Sequence, residues 1–184
     1  MKKIISLFKR NYEGDHLVLD EIVPGAEWVQ NGEGVATRKY DGTCCMVNNH
    51  EIYARYDVKK DRKPPENFIP AQDPDPITGH WPGWVKCNID DKQWRWHFEA
   101  FYDENSTFRN GTYELCGPKI NGNPEKLENH VLIAHDCAFR FYDAPRTFNE
   151  LKEWFTDKNI EGVVWHHPDG RMVKIKKKDF GLTR

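Results

Sequence analysis

Lys39 is the residue with the most chemistry open to it. It stands in Arg38-Lys39-Tyr40-Asp41-Gly42-Thr43, just after an apolar Val35-Ala36. An amine attacks phosphorus only when deprotonated, so a nucleophilic lysine needs its pKa brought down from about 10.4 toward neutrality. Burial near other cations does this, and so does a bound divalent metal. Asp41 can bond sugar hydroxyls or brace the loop, and Gly42 allows a tight turn or a close backbone approach. A solvated lysine beside a turn would carry the same four letters. The chemistry therefore depends on what distant segments supply.

Four segments offer suitable groups. Arg55 can contact a phosphate or ribose, or be an ordinary exposed strand arginine. Glu114, between Tyr113 and Leu115, suits a ribose hydroxyl, or is a strand-edge charge. Glu161-Gly162 opens a Val-Val strand, and a carboxylate held there is a candidate ligand for a hard cation such as Mg²⁺. Lys174 and Lys176 have the strand period of two and so share one face, opposite Ile175. Together they can meet a polyphosphate, whereas the tract 174–178 could otherwise be a solubilising tail. Val173 and Ile175 argue for a place inside a sheet.

Elements that would position these groups can be read nearby. Thr43–Val47 and Glu51–Tyr56 form a hairpin about Asn48-Asn49-His50. Residues 59–92 change character, with the basic cluster Lys59, Lys60, Arg62 and Lys63 followed by six prolines and two glycines. This predicts a long surface excursion, anchored by Trp81 and Trp84. Residues 93–101 alternate, with Trp94, Trp96 and Phe98 on one face, and predict a half-buried strand. Residues 111–117 and 130–135 predict two further strands, and residues 1–10 an opening one. Thr147 with Glu150 predicts a capping box ahead of a helix whose apolar stripe is Phe148, Leu151, Trp154 and Phe155. Residues 160–165 and 171–176 pair around His167-Pro168-Asp169-Gly170. The expected class is α+β, mainly antiparallel sheet with a few helices.

Composition narrows the field further. With 184 residues, 38% hydrophobic and 30% charged, the chain is expected to be globular and to form a single domain over 1–184. No apolar run reaches the roughly 20 residues of a membrane span, and the first ten residues are too quickly charged for a signal peptide. A cytoplasmic, monomeric protein is expected. The five cysteines are odd in number and contain no CxxC pair, so neither a zinc centre nor a disulfide framework is expected. A net charge of −2 confines nucleic-acid contact to local patches.

Taken in order, Lys39-Tyr40-Asp41-Gly42, Arg55, Tyr113-Glu114-Leu115, Ile160-Glu161-Gly162-Val163-Val164 and Val173-Lys174-Ile175-Lys176 resemble the five motifs of the covalent nucleotidyltransferases, the ATP-dependent ligases and capping enzymes. Within that superfamily the chain is similar to RNA ligases. DNA ligases usually carry an arginine where Cys44 stands, and an arginine displaced to position 55 fits the RNA-ligase pattern. The segment 78–84 and the Trp-His-Phe run after it also resemble a compact RNA-ligase family of phages and animals. If the chain is phage-encoded, its location would be the host cytoplasm.

The resemblance implies the nucleotidyltransferase (ligase adenylation-domain) fold, with an ATP cleft between the sheets. Lys39 would attack the α-phosphate of ATP and form a lysyl-adenylate. Asp41, Gly42, Arg55 and Glu114 would bind the nucleotide, and Glu161 would serve Mg²⁺ or Mn²⁺ as well as AMP. Lys174 and Lys176 would grip the α-phosphate as catalytic cations. AMP would pass to an RNA 5′-phosphate, and an RNA 3′-hydroxyl would displace it. Phe139, Phe141 and Trp165 are candidates to stack on adenine. The chain runs only from 177 to 184 beyond Lys176, so no OB domain is expected, which disfavours capping. RNA would then be held by Lys59, Lys60, Arg62 and Lys63 with exposed tryptophans, in a salt-sensitive way. Two rival readings are a DNA or mixed-substrate polynucleotide ligase and a non-catalytic nucleotide- or RNA-binding module of the same fold.

Overall fold

A computed structural model describes residues 1–103 and 107–184. The chain forms two compact units. One holds Ile4–Tyr40 and Ala138–Arg184, and the other holds Met1–Lys3 and Asp41–Cys137. We call them the lysine unit and the glutamate unit, after Lys39 and Glu114.

The opening strand expected over 1–10 is two short strands, β1 (Ile5–Ser6) and β2 (Phe8–Arg10), separated at the fully buried Leu7. β3 (Val18–Ile22) pairs with β2, the four-residue helix α1 (Glu27–Gln30) follows, and β4 (Val35–Lys39) carries Lys39 at its end. In the glutamate unit, β5 (Thr43–Asn48) and β6 (Glu51–Val58) form the expected hairpin. Asn49 and His50 both take positive φ there, the demand of a tight two-residue turn.

Two expectations for this unit need correction. The 59–92 excursion is in part sheet, because β7 (Ile69–Pro70) and β8 (Trp81–Lys86) extend the sheet beyond β6. Trp84 anchors it from inside the core, and Trp81 donates its indole N–H to the Gln72 carbonyl at 2.7 Å.

The strand expected over 93–101 is a 3₁₀ turn (Lys92–Trp94) running into helix α2 (Arg95–Phe101). Asp91 starts it by accepting the Gln93 amide at 3.0 Å, the role of an N-cap. Trp94, Phe98 and Phe101 are spaced four and three apart and pack together on Ile52, Ala54 and Cys87. The aromatics thus satisfied the period of two and the helical period at once, and burial favoured the helix.

β9 (Gly111–Cys116) and β10 (Val131–Ala134) lie where expected, and complete an antiparallel sheet in the order β10-β9-β5-β6-β8-β7.

The chain re-enters the lysine unit at β11 (Arg140–Phe141), followed by helix α3 (Phe148–Thr156), β12 (Gly162–His166) and β13 (Met172–Lys176). Its sheet runs β1-β13-β12-β4-β11, antiparallel except for the β1–β13 pair. At the start of α3, Thr147 Oγ1 donates to Glu150 Oε2 at 2.6 Å, so these two side chains bond each other rather than backbone amides. Leu151 and Phe155 are fully buried with Val163, Trp165, Val173 and Ile175, while Phe148 and Trp154 pack at the margin. The α+β class is as expected. Among the described residues, no helix is long and apolar enough to cross a membrane.

Candidate active site

Strand register assembles the first cluster. Lys39 and Lys176 both lie opposite Gly162, and Thr37 and Lys174 both lie opposite Val164. Side chains alternate along strands, so Lys39, Lys174 and Lys176 emerge from the face opposite the one that buries Val163, Trp165 and Ile175. Gly162 permits the close strand spacing: a Cβ there would lie 2.2 Å from the Ile175 carbonyl oxygen and 2.8 Å from Lys176 Cα.

Glu161 is the anion of this cluster. Its Oε2 lies 2.5 Å from Lys39 Nζ and its Oε1 2.6 Å from Lys176 Nζ. Its own carbonyl accepts the Lys177 amide at 2.8 Å, which fixes the backbone at the mouth of β12. Burial alone would raise the Glu161 carboxyl, but Lys39 and Lys176 outweigh it and hold the group below the usual carboxylate range. Lys174 is pushed down, first by burial and then by the cations Lys176 and Lys39. Three lysines near one glutamate leave a net-cationic cluster suited to phosphate oxygens.

The tract after Lys176 is no solubilising tail. Lys177 is buried, and its ammonium donates to the carbonyls of Thr156 (3.2 Å) and Lys158 (2.9 Å) at the end of α3. The buried Asp179 accepts the Lys176 amide at 3.0 Å and receives Arg10 at 2.5 Å. Phe180 packs edge-on to Phe8 and Phe148.

The second cluster lies in the glutamate unit. Gly42 donates its amide to Glu114 Oε1 at 3.2 Å. A Cβ on Gly42 would meet the Leu115 carbonyl oxygen at 2.2 Å and Glu114 Cγ at 2.9 Å, so the close approach expected of this glycine is made onto β9. Asp41 gives its amide to Glu125 and accepts from Asn121 at 3.1 Å. Arg55, on β6, donates to the Met1 carbonyl at 2.6 Å and lies 4.9 Å over the Trp84 ring, and burial lowers its pKa. Its guanidinium is thus held by packing within this unit.

Sequence reasoning missed Asn121, Glu125 and His135. His135 bonds Glu114 Oε2 at 3.1 Å and Thr112 Oγ1 at 3.0 Å. No spacing links these residues to the positions they meet: the loop between β9 and β10 brings Asn121 and Glu125 to Asp41, and β10 brings His135 to Glu114.

Two expectations about rings are overturned. Trp165 is fully buried in the core of the lysine unit, and Phe141 packs against that core through Trp154. Phe139 stands edge-on to Phe141. Trp165 and Phe141 belong to the side of the sheet away from Lys39, so neither is placed to stack on a base there, whereas Phe139 is exposed. None of the seven tryptophans is exposed. Lys59, Lys60, Arg62 and Lys63 are exposed, in and after the turn that follows β6.

Comparison with known proteins adds an independent line. The family model described as RNA ligase 1 matches residues 65–184, a span that contains Glu114, Glu161, Lys174 and Lys176. RNA ligase 1 of Mus musculus is 31% identical over a 220-residue alignment covering 80% of this chain and 67% of the relative. RNA ligase 1 of Pongo abelii is 30% identical with the same coverage, and that of Danio rerio is 26% identical over 219 residues. A match of this extent shows that the chain belongs to the RNA ligase 1 family.

Proposed function

We propose that the chain is an ATP-dependent ligase that joins an RNA 5′-phosphate to an RNA 3′-hydroxyl through a lysyl-AMP at Lys39, acting as a cytoplasmic monomer. The observation that carries this reading is the Glu161 carboxylate set between Lys39 and Lys176, with Lys174 on the same face.

In the first step Lys39 Nζ, having lost its proton, attacks the α-phosphorus of ATP. The P–N bond forms and the bond to pyrophosphate breaks. Lys174 and Lys176 stabilise the charge that grows on the equatorial oxygens. Glu161, an oxygen donor at the strand mouth, fits a hard divalent cation, which commonly takes one or two carboxylates and completes its shell with phosphates and water. When bound, Mg²⁺ or Mn²⁺ supplies neutralisation of the polyphosphate. A cation held by Glu161 would weaken its pairing with Lys39, and the neighbouring cations Lys174 and Lys176 would then favour the neutral amine.

Asp41, Gly42, Arg55 and Glu114 are assigned to the nucleotide, with Arg55 and Glu114 on ribose and phosphate. AMP then passes to an RNA 5′-phosphate, and the 3′-hydroxyl displaces it. The exposed Lys59, Lys60, Arg62 and Lys63 are assigned to RNA phosphates.

Incubation with ATP and Mg²⁺, followed by intact mass measurement, tests this. We expect one added AMP, absent in Lys39→Ala. No adduct on the native chain, or an adduct that survives Lys39→Ala, defeats the proposal.

A further inference from the structure

We propose that Cys44, Glu114 and His135 form a site for a thiophilic divalent cation of the Zn²⁺ class. Cys44 and Glu114 are direct partners across β5 and β9 and therefore share a face. His135 follows directly after β10, whose Ala134 pairs with Tyr113. One ligand atom from each of the three lies within 4.8 Å of the others. For bonds of about 2.0–2.3 Å, a tetrahedron separates its donor atoms by about 3.5 Å, so modest side-chain rotation closes the set.

The chemistry of the donors points to zinc rather than magnesium. Thiolate, imidazole and carboxylate are its three ligand types, and three protein ligands leave a fourth position open. Supporting contacts are already in place. Glu114 Oε1 receives the Gly42 amide, and Thr112 Oγ1 holds His135 Nδ1. Without metal, His135 Nε2–H donates to Glu114 and Nδ1 accepts from Thr112. With metal on Nε2, the ring proton moves to Nδ1 and donates to Thr112 Oγ1, the outer-shell bond that fixes a metal-bound histidine. The Cys44 thiol proton leaves to solvent. No CxxC signature marks the site, because sheet pairing rather than chain spacing brings its ligands together.

The metal site stands apart from the ligase reading. Its consequence rests on that reading: if Glu114 serves the nucleotide, Zn²⁺ and ATP compete for one carboxylate, and zinc restrains adenylylation.

Titration of the reduced chain with Co²⁺ tests the site. One equivalent should produce a thiolate-to-cobalt charge-transfer band with d–d bands of tetrahedral intensity, and Zn²⁺ should abolish both. Cys44→Ser should lose the charge-transfer band, Cys137→Ser should keep it, and Thr112→Val should weaken binding about 10-fold. Absence of the band in the native chain, or its survival in Cys44→Ser, overturns the site. Zn²⁺ should slow adenylylation of the native chain and leave Cys44→Ser unaffected, and equal inhibition of both overturns the competition. A chain that binds Co²⁺ through Cys44 yet never forms an adenylate upholds the metal site while refuting the ligase mechanism.

Discussion

Glu161 Oε2 lies 2.5 Å from Lys39 Nζ, so the proposed nucleophile is paired with the group proposed to receive the metal. The pair joins the resting state of the lysine to the arrival of its cation.

Replacing Glu161 should therefore affect folding and chemistry together. Glu161→Ala leaves Lys39, Lys174 and Lys176 without their bridging anion, and charged hydrogen bonds of this kind contribute about 1.5–3 kcal/mol each. A lowered midpoint in urea and loss of the AMP adduct are the expected results. An unchanged midpoint would show that the bridge contributes nothing to stability.

Lys174→Met and Lys176→Met should each slow adduct formation by about 10²-fold, the usual effect of removing one group that stabilises transition-state charge. Lys174→Met should cost little stability, because it removes a half-buried cation that its neighbours already disfavour. Time-resolved intact mass, read beside thermal melts, separates the two effects.

Stability should depend on pH at both extremes. The Glu161 pKa lies below its ordinary 4.5 in the folded chain, so its contribution is present above 4.5 and is lost as pH falls through the lower folded value. The Lys174 pKa lies below its ordinary 10.5, so the unfolded chain binds more protons in that interval and stability rises with pH up to 10.5. Thermal melts across pH on native chain, Glu161→Gln and Lys174→Met test this. The acid loss should shrink in the first variant and the alkaline gain in the second.

Gly42→Ala should destabilise by about 1–3 kcal/mol, the range for inserting a methyl group into a filled space, and should impair nucleotide binding through Glu114. Gly111→Ala, in the same sheet, meets nothing closer than 3.8 Å and should melt like the native chain. Equal effects of the two substitutions would refute the steric account.

Lys177→Met should cost about 1–3 kcal/mol by leaving the Thr156 and Lys158 carbonyls without their charged donor. Lys178→Ala, on an exposed neighbour, should be neutral. Paired denaturant curves decide the matter.

What the sequence made legible followed from local pattern. The hairpin of β5 and β6, the strands carrying Glu114, Lys174 and Lys176, the strand that Glu161 precedes, and the stripe of α3 all rest on short-range period and turn chemistry. The sequence points to a strand at α2 because Trp94, Trp96 and Phe98 fit the period of two while Trp94, Phe98 and Phe101 fit the helical one, and only the packing on Ile52 and Cys87 chooses between them. Tryptophans expected at the surface lie wholly or partly buried because composition shows that rings exist, not which are needed to fill space. Asn121, Glu125 and His135 reach Asp41 and Glu114 through sheet pairing and loop return, for which neighbouring residues hold no record.

The segment 177–180 has a practical meaning for anyone trimming this protein. A cut after Lys176 would spare every proposed catalytic side chain, yet remove the Lys177 clasp on α3, the Asp179 acceptor that holds the Lys176 amide, and the Phe180 ring from the core. Carboxypeptidase digestion should therefore stall near Gly181, and a shortened chain that keeps all its motifs should still be inactive.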